Sequence, residues 1–311
     1  MKTIKAVKPY IHSGYLNFKT APYEAWVKSR GQVAEAHYPA RILHGWAFRY
    51  ELPAIFRNTQ EARLRFVEPV SVSFDTFPDY ARYEIIPMIW DCWPCYFEKM
   101  CRWLEKHQVR TAIFTSSQTA ERMQQRFPKM HVMYCPEAVD VSCYQAGAPF
   151  AERSIDLLEF GRSNGQLFHH VFPKTIKRVC TYQNGDYIYN NEELYEVMGQ
   201  TKITVALPRS MTHPELAGDI ETLTQRYWES MLSGMVMVGH APKELVDLIG
   251  YNPVVELDSA HATEQILDIL SHIDDYQELV NRNCSAALKY GDWTMRMKDV
   301  MNFLQQCGYE L

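Results

Sequence analysis

Short apolar runs alternate with amphipathic stretches over most of the chain. The pattern is clearest from residue 84 onward. Residues 85–90 form a continuous apolar run that ends at Asp91. Residues 96–107 then carry apolar positions at helical spacing, 110–115 read as a strand and 118–127 as a helix. Ser116 and Ser117 precede that helix and are suited to cap it. Residues 131–135 are a further strand. Strand, helix, strand, helix, strand predicts parallel βαβ units in a doubly wound sheet.

Residues 143–153 hold Gly147 and Pro149 and read as a linker. The alternation then restarts. Strands are predicted at 154–160, 178–182, 202–207, 235–238 and 254–256. Helices are predicted at 169–177, where Pro173 restricts the backbone, and at 190–198, 223–233 and 243–249. Helical segments at 261–290 and 293–306 close the chain. The first 80 residues are less patterned: a strand at 3–11, a helix at 22–30, and aromatic-rich patches at 42–50 and 66–74. The predicted class is α/β, with two Rossmann-like domains facing a cleft. The boundary is placed between 1–147 and 148–311, and the last helix is expected to pack back on the first domain. Ligands of such sheets bind beyond the strand carboxyl ends.

Length supports two domains: 311 residues is long for a single core. No stretch approaches the ~20 apolar residues of a membrane span. Lys2, Lys5 and Lys8 interrupt the start of the chain, so no secretory-type apolar run is expected there. Eight cysteines are scattered, which fits free thiols in a reducing cytoplasm. Net charge is −5, so a bulk nucleic-acid binder is excluded. The charge is uneven. Residues 1–66 hold eleven Lys/Arg and four Asp/Glu, a balance of +7 that leaves −12 for the rest. With Tyr10, Tyr15, Phe18, Tyr23 and Trp26 among those cations, the segment suits an anionic acceptor or peripheral contact with the inner face of a membrane. An ordinary solvated face is the plainer reading.

The most informative stretch runs from Glu221 to Glu229, with seven residues between the two acids. Thr222 and Gln225 are spaced as a capping box, which predicts a helix from Leu223. Leu223, Tyr227, Met231 and Leu232 would form its buried stripe. Glu221 then lies in the loop before the helix, and Glu229 about 10 Å along it. A diphosphate at the helix start would meet main-chain amides and the positive dipole end. Glu229 would sit where a ribose offers two hydroxyls, and Glu221 on the sugar side.

Two acids eight positions apart across a loop–helix junction resemble the E-x7-E motif of GT-B glycosyltransferases, in particular the family 4-like group. Supporting segments follow in order: 155–162, ending in Gly161-Arg162, then 194–199, 204–208, 234–239 and 253–256. Upstream, 134–140 resembles the crossing strand between the domains. The resemblance implies a GT-B enzyme that moves a sugar from a nucleotide diphosphate sugar to an acceptor hydroxyl, retaining the anomeric configuration, in surface polysaccharide or glycolipid synthesis. The first domain would be the acceptor side and the second the nucleotide-sugar-binding side. Donor contacts would come from Gly161, Arg162, Ser163, Thr222, Leu223, Thr224, Arg226 and Glu229. Glu221 and Arg162 would act in catalysis, and Asp91 at a strand end would face a glycan or lipid-linked acceptor. His44 is the amino-terminal candidate for an acceptor-side base, because histidine titrates near neutrality, with a structural histidine as the plainer reading. No cofactor and no metal are implied. The sequence departs from the family in lacking a glycine after Glu221, and in the residues 209–220 that precede it.

Two other readings compete. Cys92 and Cys95 lie between a strand and a helix, as in a thiol–disulfide oxidoreductase. A non-catalytic nucleotide-sugar-binding protein on the same fold is the other. Cys92, Cys95, Cys101 and His107 include zinc-ligand types, but Cys101 and His107 are six apart along a helix and face different ways.

Overall fold

The computed structural model describes residues 1–9, 19–36, 58–161, 167–168, 171–181, 188 and 191–311. His44, Arg162, Ser163 and the aromatic patch at 42–50 lie outside the described residues.

The first half contributes strands β1 (Lys2–Val7), β2 (Val33–Ala34), β3 (Glu61–Val67), β4 (Glu84–Ile89), β5 (Thr111–Phe114) and β6 (His131–Tyr134). The second half contributes β7 (Ile155–Glu159), β8 (Arg178–Cys180), β9 (Thr201–Ala206), β10 (Val236–Gly239) and β11 (Val255–Glu256). A last strand, β12 (Tyr309–Glu310), returns to the first sheet. The first sheet has the order β12-β1-β3-β4-β5-β6, with β2 also beside β1, and the second has β11-β10-β9-β7-β8. Every pairing between these strands is parallel. The fold class is therefore α/β and Rossmann-like, as the alternation predicts.

Both sheets are covered on two faces, which explains why central strands such as β5 and β10 read as short apolar runs. In β10, Val236 and Val238 join one core while Met237 joins the core opposite. The first sheet packs Trp26, Trp90, Trp293, Met297 and Leu304 on one face, and Met100, Trp103, Leu104 and Met123 on the other. Ser116 caps the helix Ser117–Arg126 by accepting from the Thr119 amide.

The structure refines the sequence reading in several places. Residues 171–177 form a turn and not the end of a helix, because Pro173 stops it. The helix predicted from Leu223 begins at Gln225. The strand β3 was not anticipated, since its alternating Arg63 and Arg65 look solvent-facing. Both are buried: Arg63 lies over the Tyr83 ring and pairs with Glu61, and Arg65 pairs with Asp79. The long segment at 261–290 is broken by a short turn at Ile273–Tyr276.

The chain crosses between the sheets twice. The outgoing crossing bridges the return crossing at Val139 and Asp292. The Val139 amide donates to Gly291 O at 2.9 Å, and the Trp293 amide to Val139 O at 3.0 Å. Beyond this point the helix Trp293–Gln306 packs on the first sheet, with Trp293 against Trp90 at 6.1 Å between ring centroids. Trp293→Ala should destabilise the protein by roughly 3–5 kcal/mol, read as a lower urea midpoint at unchanged slope. A midpoint equal to wild type would show that the returning helix is not held by this ring.

Candidate functional site

In chain order the second sheet runs 2-1-3-4-5, and the first, with β2 taken as the neighbour of β1, runs 2-1-3-4-5-6, so the strand order reverses between β1 and β3 and between β7 and β9. A crevice opens beyond the carboxyl ends at such a reversal. In the second sheet that point lies at Phe160-Gly161, after β7. Gly161 has φ +79°, and a Cβ there would stand 2.5 Å from Arg226 Nη2. Only glycine lets the guanidinium lie so close to the main chain. Arg226 also lies over the Phe160 ring, 5.4 Å from its centroid. Arg226 comes from the first turn of the helix Gln225–Leu232. The structure thus brings Gly161 and Arg226 together, as the proposed donor set requires.

Glu229 sits one turn further along. Its carboxylate accepts from the Tyr144 hydroxyl at 2.9 Å. Burial raises its proton affinity, while the Tyr144 bond and the charge of Arg226 oppose this. Tyr144 came from the predicted linker, where nothing in the sequence marks it.

The helix start is not a bare row of amides. The Leu223 amide donates to Glu244 Oε2 at 2.9 Å, and the Gln225 amide to Glu137 Oε2 at 3.3 Å. The Thr222–Gln225 capping box does not form: Thr224 is the N-cap and makes no side-chain cap bond. Carboxylates from other elements meet the amides instead. Leu223 itself is fully buried in the core. Of the donor contacts first expected at 222–224, the Leu223 amide is therefore engaged.

Glu244 also reaches across to the first sheet. Its Oε1 accepts from the Ser117 amide at 2.6 Å and the Ser117 hydroxyl at 2.7 Å, at the start of the helix Ser117–Arg126. Around it, Gln118 accepts from the Glu221 amide at 2.8 Å, and Arg122 holds both oxygens of Asp219 at 2.8 Å. Trp93 packs with Ala217 and Ile220. Asp91 follows β4 with a left-handed φ of 50°, and lines a small cavity with Ser116, Thr119, Ile220 and Thr222. Asp91 and Thr222, predicted for opposite sides of the cleft, are thus brought to one cavity. Glu221 lies apart from Arg226 in this network: its carboxylate faces His240 Nε2 at 3.5 Å. Glu137, Glu244 and His240 were not predicted. An acid just after Pro242 reads from sequence as a helix-start charge, and nothing local shows its partner across the interface.

Cys92 and Cys95 sit in different surroundings. Cys92 is buried, and burial first, then Cys101, Cys95 and Asp91, pushes its thiol upward. An attacking thiol needs the opposite shift. Cys95 is exposed on the helix Pro94–Lys106. Among the described residues no three His, Cys, Asp or Glu side chains could hold a metal ion, and His107 is buried between the rings of Tyr80 and Trp103.

Iodoacetamide should label Cys95 in the native protein and Cys92 only after denaturation, by peptide mass spectrometry. Equal labelling of both would restore the redox reading. No protein-family model matches the chain, and no curated protein sequence matches it. Solved structures do. Sucrose-phosphate synthase from Thermosynechococcus elongatus aligns with TM-score 0.62 at 11% identity, over 99% of both chains. Anabaena HepE in complex with UDP-glucose aligns with TM-score 0.58 at 10% identity, over 98% of this chain and 100% of that one. An alpha-glucosyltransferase in complex with UDP and a 13-mer DNA aligns with TM-score 0.56 at 12% identity, over 97% and 98%. The chain has the fold of GT-B glycosyltransferases.

Proposed function

We propose that the protein is a glycosyltransferase that moves a sugar from a nucleotide diphosphate sugar to an acceptor hydroxyl. The observation that carries this reading is Arg226 laid across Gly161 at the strand reversal, with Glu229 one turn behind it. Two of the similar structures contain UDP or UDP-glucose, which supports a nucleotide-sugar donor.

The barrier is breakage of the anomeric C–O bond as the diphosphate leaves. Arg226 stands where that charge develops, and Arg162 and Ser163 follow Gly161 in the chain. Donors placed at a developing charge contribute roughly 3–4 kcal/mol each. In this reading they do the work without a metal or cofactor. Glu229 accepts from the ribose hydroxyls, and Glu221 faces the sugar. Residues 148–311 take the donor. Residues 1–147, with Asp91 and His44, take a glycan or lipid-linked acceptor. Retention of the anomeric configuration, membership of the family 4-like group, and a role in surface polysaccharide or glycolipid synthesis in the cytoplasm complete the proposal.

Peripheral contact with a membrane would use the basic first segment. Lys2, Lys5, Lys19 and Lys28 pair with Glu84, Glu61, Glu68 and Asp140 at 2.6–3.0 Å, so much of that charge is met within the protein. No helix among the described residues is long and apolar enough to cross a membrane.

Calorimetric titration with UDP-, GDP- and ADP-sugars tests the donor site. Arg226→Ala should weaken the donor that binds by about 2 kcal/mol, on the order of 30-fold. Glu229→Gln keeps a partner for Tyr144 and should still lower affinity. Unchanged affinity in both variants would remove this site. Binding without sugar transfer to any hydroxyl acceptor would favour the non-catalytic reading.

A further inference from the structure

At the carboxyl end of β10 an imidazole stands between two carboxylates from different elements. His240 Nδ1 lies 2.7 Å from Glu256 Oε1 on β11, and Nε2 lies 3.5 Å from Glu221 Oε1 in the loop before the helix. The main chain of His240 is held on both sides. Its amide donates to Ala206 O at 2.9 Å, and its carbonyl accepts from the Tyr227 hydroxyl at 2.7 Å. The preceding Gly239 has φ +154°, and a Cβ there would stand 1.9 Å from Ala206 O, so only glycine lets β10 end this close to β9. A ring so anchored has one nitrogen set by Glu256 and the other turned to Glu221.

The Glu221 loop is fixed at its other end by the first sheet, through the bond of its amide to Gln118. Its carboxylate therefore sits at the meeting of the two halves, with the imidazole behind it.

We propose that His240 is a positioning residue for Glu221: Glu256 fixes its ring, and its Nε2 holds the Glu221 carboxylate toward the sugar of the donor. This rests on the reading of Glu221 as the carboxylate that faces the sugar. The charged form of the ring is the effective one. Burial works against that charge, but Glu256 and then Glu221 outweigh it, so the proton affinity of His240 is raised. The groups that face the ring or its carbonyl are Glu256 from β11, Glu221 from the loop and the Tyr227 hydroxyl from the helix. A raised value means that the imidazolium is present below it and is lost as pH rises through it. Glu221 then loses its partner, and the rate falls on the alkaline side.

The test uses the full chain with UDP-glucose, UDP-galactose, GDP-mannose and ADP-glucose, following nucleoside diphosphate release from the donor that is turned over. His240→Asn should lower kcat on the order of 10- to 100-fold with KM near wild type, and should abolish the alkaline limb of the kcat–pH profile. Glu256→Gln should keep part of kcat and move that limb to lower pH, and it serves also where His240→Asn fails to fold. A wild-type kcat in His240→Asn, or an alkaline limb unmoved in Glu256→Gln, overturns the inference alone. A wild-type protein that binds none of these donors overturns the proposed function together with it.

Discussion

The carboxylate of Glu244 sets how the two halves of the protein meet. One oxygen closes the start of the helix Ser117–Arg126 on the first sheet, and the other takes the Leu223 amide on the second. A buried carboxylate is costly unless its lone pairs are used. Here they are used by groups from both sides, so satisfying the charge and docking the halves are one event. Burial still outweighs these bonds and raises the proton affinity of Glu244. A carboxyl raised in this way holds its proton more firmly folded than unfolded. Its burial therefore weighs more against the fold as pH rises through the raised value.

Much follows from that junction. With Leu223 tied to Glu244 and Glu221 tied to Gln118, the loop between 219 and 223 has little freedom. The apolar contact of Trp93 with Ile220 and the paired bonds of Arg122 to Asp219 lie on the same seam. The exposed Arg122–Asp219 pair adds geometry more than energy. The strand ends of the first sheet are thereby brought to the helix start of the second, which is how Asp91 and Thr222 come to share a cavity.

The alternation of strands and helices was legible from residue 84 because strands buried on both faces are written as plain apolar runs. Residues 84–89 and 236–239 show this directly. The strand β3 was illegible because its arginines are buried against partners, Asp79 and Tyr83, that no local pattern reveals. The short strands β2 and β12 hold two residues each and take their existence from β1 alongside. In the candidate site, the spacing of Glu221, Arg226 and Glu229 pointed to the helix Gln225–Leu232, and the structure sets Arg226 of that helix against Gly161. What the spacing could not show is which carboxylates from distant elements already occupy the amides. Glu137 is 88 positions from Gln225, and Glu244 lies in the next helix.

That occupation bears on where the diphosphate of the proposed donor finds positive charge. A helix start offers about half an elementary charge through its unpaired amides. With the Leu223 and Gln225 amides already turned to carboxylates, Arg226 is a described residue beside Gly161 that carries a full charge. Arg226 also lowers the proton affinity of Glu229 against the effect of burial. One guanidinium thus acts on Glu229 and, in the proposed function, on the phosphate. A diphosphate that draws on the guanidinium weakens its hold on Glu229, and the second negative charge raises the proton affinity of that carboxyl further. Bonds from ribose hydroxyls to Glu229 work in the opposite direction, because they favour the carboxylate form. In the proposed function diphosphate and ribose are coupled through one arginine, and a donor that supplies both groups leaves fewer charges unmet than either fragment alone.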